Sequence, residues 1–352
     1  MTRLARSLRP TPSPRPQRDG PPAPRWRWTS AALGALLGAA LLVPSGALAA
    51  PDHERLAERA AAAMARAAAF FRDEVAVHGS YGWRYSADLS YRRGEDLITT
   101  SQGWVQPPGT PAVGLAMLQA FEATGDRTFL DGAAETARAL ALTQLDSGGW
   151  HAMIEFDPEA RRAWCYRHVP PAERDPAATA ENRLCDASTI DDNISQSAME
   201  LLMRVDVALS GEDPLIRDAV AYGLQKFIEA QYPNGGWPVR FDWRVPNERV
   251  WAAARARYPE SWSRTWVEIS DRLFFTTNDN ALGDLIHLFL LAHRLYGDEA
   301  YLATAIRTGE FLLAAQLPEP QPGWAQQYNR DMEPIWGRKF EPPAIASWET
   351  RR

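Results

Sequence analysis

The 352-residue chain has only two cysteines, Cys165 and Cys185, and only two lysines among its 38 basic residues. So few cysteines exclude a disulfide-built scaffold, and a pair 20 residues apart is a poor match to zinc spacing. Its six histidines are scattered: His287 and His293 fall in a helical pattern, His151 and His168 in a loop, and none forms H-E-x-x-H. No Gly-rich phosphate loop and no G-x-S-x-G elbow occurs. The longest uninterrupted apolar run, residues 31–43, has 13 residues, too few to span a bilayer.

That short run still has a reading. Arg25 and Arg27 precede it and Ala47-Leu48-Ala49 follows, the order of a secretory signal peptide: basic region, apolar region, small-residue cleavage site. No Arg-Arg pair marks a twin-arginine route. Residues 1–50 are therefore expected to be a signal peptide with a Pro-rich basic start, and 51–352 the secreted or periplasmic domain. Residues 1–50 hold seven arginines and one aspartate, so 31 basic and 43 acidic residues remain, a net charge near −12. Such a balance argues against nucleic acid as partner, and nothing beyond the signal points to a membrane. In an oxidising compartment Cys165 and Cys185 would close a loop that stabilises by about 3 kcal/mol; two free thiols are the alternative.

What the chain has in abundance is tryptophan, 14 residues, and three of them keep time. Trp150, Trp237 and Trp324 lie 87 residues apart, each in a Gly-Trp turn after a glutamine: TQLDSGGW, AQYPNGGW, AAQLPEPQPGW. A period of that length signals a repeat architecture. Before each turn the apolar spacing predicts two helices: 110–126 and 127–144, 194–213 and 214–231, 280–299 and 300–316. Gly125, Gly211 and Gly297 recur at helix ends, the usual left-handed stop. An Ala-rich helix is expected over 53–77. Three hairpins that each need neighbours to bury an apolar face give the expected fold class: all-α, an incomplete (α/α)3 toroid, with long loops on the face that carries the site.

After Trp150 and Trp237 come matching acidic junctions, TIDDNISQS (189–197) and TTNDNALGD (276–284). Asp191, Asp192, Asn193, Asn278, Asp279 and Asn280 offer hard oxygens of the kind that bind Ca²⁺. Both clusters also precede helices, where Asp and Asn serve as N-caps, and the two roles can coexist. The third loop, WAQQYNRDMEPIWGRKFEPPAIAS, carries Arg338 and Lys339.

The ordered motifs IDDNISQSAMELLMRV, QYPNGGWPVRF, FTTNDNA and WAQQYN…PIWGRKFEPPAI resemble the pectate lyases of polysaccharide lyase family 10, over roughly residues 95–350. The resemblance implies an α/α toroid that cleaves polygalacturonate, an acidic polysaccharide, by calcium-assisted β-elimination. It implies Asp192 and Asn193 as the family's Asp-Asn pair and Asp279 as its second acid, together binding calcium and substrate carboxylate, and Arg338 as the catalytic base. Asp191 is added to the metal set, and Trp237 and Lys339 to the substrate contacts. A monomer is expected. Family members continue past S-x-E-[ST] into a further helical pair, so that pair is expected to be missing here, and a non-catalytic acidic-glycan binder is the alternative function. The Gln…Gly-x-Trp turns also resemble those of terpene cyclases, but their acidic D-x-D-D motif is absent; a glycoside hydrolase toroid is the other minor alternative.

Overall fold

A computed structural model describes residues 53–177, 188–242, 254–269 and 274–339. The expected signal peptide, Cys185, and the residues after Lys339 lie outside them. Among the described residues no helix is long and apolar enough to cross a membrane.

Among the described residues seven α-helices carry the fold: α1 (His53–Phe70), α2 (Thr110–Thr124), α3 (Arg127–Leu142), α4 (Ile194–Ala208), α5 (Pro214–Ala230), α6 (Ala281–Tyr296) and α7 (Glu299–Ala315). The last turns of the segment after α1 wind as a π-helix, Phe71–Val75. α2–α3, α4–α5 and α6–α7 are hairpins; α2 packs on α4, α4 on α6, and α3 on α4 and α5. The all-α, toroid-like architecture is thus as the repeat predicts. Each hairpin turn is built by local chemistry. Gly125 and Gly297 end α2 and α6 in the left-handed conformation, donating to the Phe121 and His293 carbonyls at 2.7 and 2.8 Å. The following aspartates, Asp126, Asp213 and Asp298, cap the second helices by accepting from the backbone N–H groups of Thr128, Leu215 and Ala300. α4 differs: it stops at Ala208, and both Ser210 and Gly211 turn left-handed.

Short antiparallel ribbons tie each hairpin's entry to its exit. β1 (Arg84–Tyr85) pairs with β2 (Arg92–Arg93) ahead of the array. β3 (Gln102–Trp104) pairs with β4 (Met153–Glu155), β5 (Ser188–Thr189) with β6 (Arg240–Phe241), and β7 (Phe275–Thr276) with β8 (Gln327–Tyr328). Trp104 faces Met153, Thr189 faces Arg240 and Thr276 faces Gln327. Met153, Arg240 and Gln327 are again 87 apart, so the ribbons belong to the repeat.

The glutamine-glycine-tryptophan turns clamp one hairpin to the next. Gln144 Nε2 donates to the carbonyl of Gly148 in its own turn (2.8 Å) and to that of Ala219 in α5 (3.0 Å). Gln231 Nε2 repeats this one copy later, to Gly235 (3.3 Å) and to Thr304 in α7 (3.2 Å). Gly235 has φ +87°, and a Cβ there would lie 2.1 Å from the Arg307 carbonyl oxygen; only glycine allows the turn to sit so close on α7. One hydrophobic core runs through all three hairpins and takes in Trp150 and Trp237. A satellite core of Leu145, Trp164, Tyr166 and Val169 organises the insert after Trp150, where Cys165 is disulfide-bonded and Arg174 forks onto Asp146 at 2.5 and 3.1 Å.

Candidate active site

The acidic junctions leave β5 and β7 and enter α4 and α6. Both pass through two successive left-handed residues, Asp192-Asn193 (φ 48° and 57°) and Asp279-Asn280 (φ 50° and 58°). Asp and Asn tolerate this region better than other residues with a Cβ, yet each such residue still costs about 1–3 kcal/mol. The double turn explains the residue types. It also corrects the capping expectation: neither Asn193 nor Asn280 makes a side-chain cap hydrogen bond to its helix. Asn280 instead donates to Asp284 at 2.8 Å.

The turns bring Asp191, Asp192 and Asp279 together, with one carboxylate oxygen of each within 4.8 Å of the others. Two oxygens on opposite sides of a calcium ion lie about 4.6–5.2 Å apart, given Ca–O distances of 2.3–2.6 Å. Hard, anionic donors at this spacing therefore fit Ca²⁺. Asp191 is buried, and burial, with Asp192 and Asp279 adding to it against the opposing pull of Arg338, pushes its carboxyl up to about 7.

Arg338 enters from the loop after β8. Its Nη1 lies 3.3 Å from Asp191 Oδ2 and 3.6 Å from Asp279 Oδ2, so residues 147 positions apart share one ion-pair centre. The structure thus assembles Asp191, Asp192, Asp279 and Arg338, with Asn193 at the helix entry beside them.

Two candidates do not join them. Trp237 is fully buried, tilted on Phe289 with ring centroids 6.0 Å apart and donating from Nε1 to Thr308 Oγ1 at 3.1 Å. A ring with no exposed face cannot stack on a sugar, so its assignment as a substrate contact is corrected to packing between hairpins. Lys339 is exposed, with its ammonium over the Trp266 ring, 6.0 Å from the centroid; the next side chain along from Arg338 is directed to an aromatic neighbour. His151 accepts from the Met153 backbone N–H through Nδ1 at 3.1 Å and meets Trp164 edge-on, a role in the insert.

One residue at the site, Gln106, escapes the motif reading, and another, Asn278, has a role other than the one the motif suggests. Gln106 Nε2 donates to Asp192 Oδ2 at 3.0 Å and to Glu95 Oε1 at 3.3 Å. Asn278, 1% exposed, is not the oxygen donor its residue type suggests. Its Oδ1 accepts from Thr276 Oγ1 and, at 3.4 Å, from Gln327 Nε2, while its Nδ2 donates to Asp191 Oδ1 at 3.0 Å and to Asp279 Oδ2 at 2.6 Å. The 87-residue step from Asp191 to Asn278 is the signal that marks them as equivalent positions.

No protein-family model and no curated protein matches the chain. Solved structures do. A family 10 polysaccharide lyase from Cellvibrio cellulosa is 18% identical over 59% of this chain and 55% of its own, with a TM-score of 0.39. An aspartate-to-alanine mutant of that lyase in complex with a trigalacturonic acid is 16% identical over 67% of this chain and 62% of its own, TM-score 0.39. A cellobiose 2-epimerase from Spirochaeta thermophila is 12% identical over 83% of this chain and 62% of its own, TM-score 0.47. The chain thus spans less than two thirds of each of these proteins, and likenesses this distant carry no argument about its chemistry.

Proposed function

We propose that this chain is an exported polysaccharide lyase that cleaves polygalacturonate by calcium-assisted β-elimination. The observation that carries the reading is the convergence of three carboxylates and the Arg338 guanidinium from three separate loops of the repeat array. Calcium, held by Asp191, Asp192 and Asp279, would supply the positive charge that makes the proton α to a uronate carboxylate removable. Arg338 would take that proton.

An arginine is a poor base because its guanidinium stays charged far above neutral pH, and two carboxylates at ion-pair distance favour its charged form further. Their engagement with a cation would withdraw that support, and a positive surrounding then favours the neutral guanidine. Asp191 and Asp279 would therefore support the charged form of Arg338 without the cation and support it less once they held the cation. Asn193 sits at the α4 entrance, where it would meet a substrate carboxylate or hydroxyl. Export rests on the signal-like residues 25–49 and agrees with a disulfide at Cys165. A monomer is the simplest state, checked by light scattering.

A second reading, acidic-glycan binding without cleavage, is favoured by the same ion pairs, since they keep Arg338 in its acid form. The two separate by the ultraviolet absorbance of 4,5-unsaturated products from polygalacturonate, with and without Ca²⁺. Calcium-dependent product that disappears in Arg338→Ala supports the lyase; binding with no product supports the second reading; neither, in the full-length protein, removes both.

A further inference from the structure

The ribbons fix which residues are equivalent in the three copies. Two positions after the residue that faces β4, β6 or β8 come Gln106, Asp191 and Asn278. One place in the repeat therefore holds amide, acid, amide. The two amides reach toward the junction acids: Gln106 to Asp192, and Asn278 to Asp191 and Asp279 at once.

We infer that Gln106 and Asn278 are positioning residues for the cation site, neutral repeat equivalents of Asp191 that fix the spacing of its three carboxylates. The inference rests on the proposed calcium reading for its role, though not for its geometry. Three carboxylates within 4.8 Å of one another repel, and the Arg338 guanidinium pairs with Asp191 and Asp279. Donors without net charge draw carboxylates together and do not compete for the cation as a second arginine would. Asn278 is suited to this because its own orientation is settled. With Oδ1 accepting from Thr276 and Gln327, the amide cannot flip without placing an oxygen against two carboxylates, so its NH₂ face stays toward the acids. Were Asn278 an aspartate, as its equivalent is, the site would hold a fourth carboxylate and lose its bridge. Gln106 extends the same arrangement to Asp192, donating to its Oδ2 at 3.0 Å. Outer partners of this kind typically change metal affinity by about 10–100-fold when removed.

The test uses the full-length protein with Ca²⁺ as probe. Titration calorimetry on Asn278→Ala and Gln106→Ala should give at least about a 10-fold weaker affinity for the former and a smaller loss for the latter. Each is then repeated in a background already carrying Asp279→Asn or Asp192→Asn respectively. A residue that acts through its aspartate costs little more in that background, whereas a merely structural residue costs the same in both. Asn278→Asp, which keeps the shape and loses the donors, serves if the alanine variant does not fold. A cation-free crystal structure of the Asn278 variant supplies a readout independent of binding: Asp191 and Asp279 should separate. Additive losses, or carboxylates that stay in place, overturn the inference. Absence of Ca²⁺ binding in the unmodified protein overturns the functional reading instead, and the crystal structure alone then decides the positioning role.

Discussion

Gln231 reaches across a hairpin boundary to Thr304: its Nε2 donates to that residue's carbonyl at 3.2 Å and to the Thr308 hydroxyl at 2.9 Å, while its Oε1 accepts from Arg307 at 2.8 Å. Gln144 does the equivalent for the preceding boundary, accepting from Arg167 at 2.9 Å and donating to Ala219. The glutamine that recurs in the sequence is thus a buried fastener between successive copies.

Replacing Gln231 by leucine should therefore cost about 1–3 kcal/mol, because partners lose a buried hydrogen bond. Gln316, the third copy's glutamine, is exposed and reaches the Pro322 carbonyl at 3.4 Å. Its alanine variant should stay within about 0.5 kcal/mol of the parent. Urea unfolding of the three proteins makes the comparison; equal losses at the two sites would remove the fastener role.

Trp237→Ala should cost about 3–5 kcal/mol, as expected of an emptied core position. Trp237→Phe should retain the affinity for polygalacturonate of the parent while losing some stability. Denaturation and glycan titration measured side by side decide between packing and contact, and a selective loss of glycan affinity would restore the substrate role.

The Asp191 carboxyl is raised from an ordinary 3.8 to about 7, first by burial. A carboxyl raised on folding favours the protonated native state, so its contribution to stability is full below about 3.8 and fades as pH rises through about 7. The cation-free protein should lose thermal stability over this window, and Asp191→Asn should flatten the loss. Calcium, which competes with the proton, should bind more tightly as pH rises through 7. Melting curves in chelator and in Ca²⁺ from pH 4 to 8 test both signs.

Reduction should loosen the insert and leave the hairpins folded. Cys165 is bonded within a segment that has its own small core and the Arg174–Asp146 fork, so the loss of about 3 kcal/mol is expected to be local. Limited proteolysis with and without a reductant should open cleavage between residues 157 and 187 first; cleavage starting in the helices would contradict this.

The helices were legible because their signals are local. Apolar spacing, the glycines at 125 and 297 and the 87-residue recurrence fix the hairpins to within a few residues, and the acidic junctions stood out as a pair. The partners of those acids were not legible. Asn278 reads as an oxygen donor until Thr276 and Gln327 are seen to consume its oxygen, and Gln106 lies before a Pro-Pro-Gly stretch with no resemblance to the other junctions. Trp237 was conspicuous for its period, and that regularity belongs to packing. Lys339 shows the remaining limit, since adjacency to Arg338 says nothing about which way a side chain leaves the chain.

The double left-handed turns at Asp192-Asn193 and Asp279-Asn280 have a consequence for tolerance to change. At these four positions the backbone filters substitutions before any chemistry does: glycine, asparagine and aspartate pass, and β-branched or bulky residues do not. A saturation library would find a narrow alphabet there even for a variant released from every catalytic demand. Permissiveness at the junctions therefore measures the fold, and only exchange within that alphabet, such as Asp for Asn, reports on the ligand.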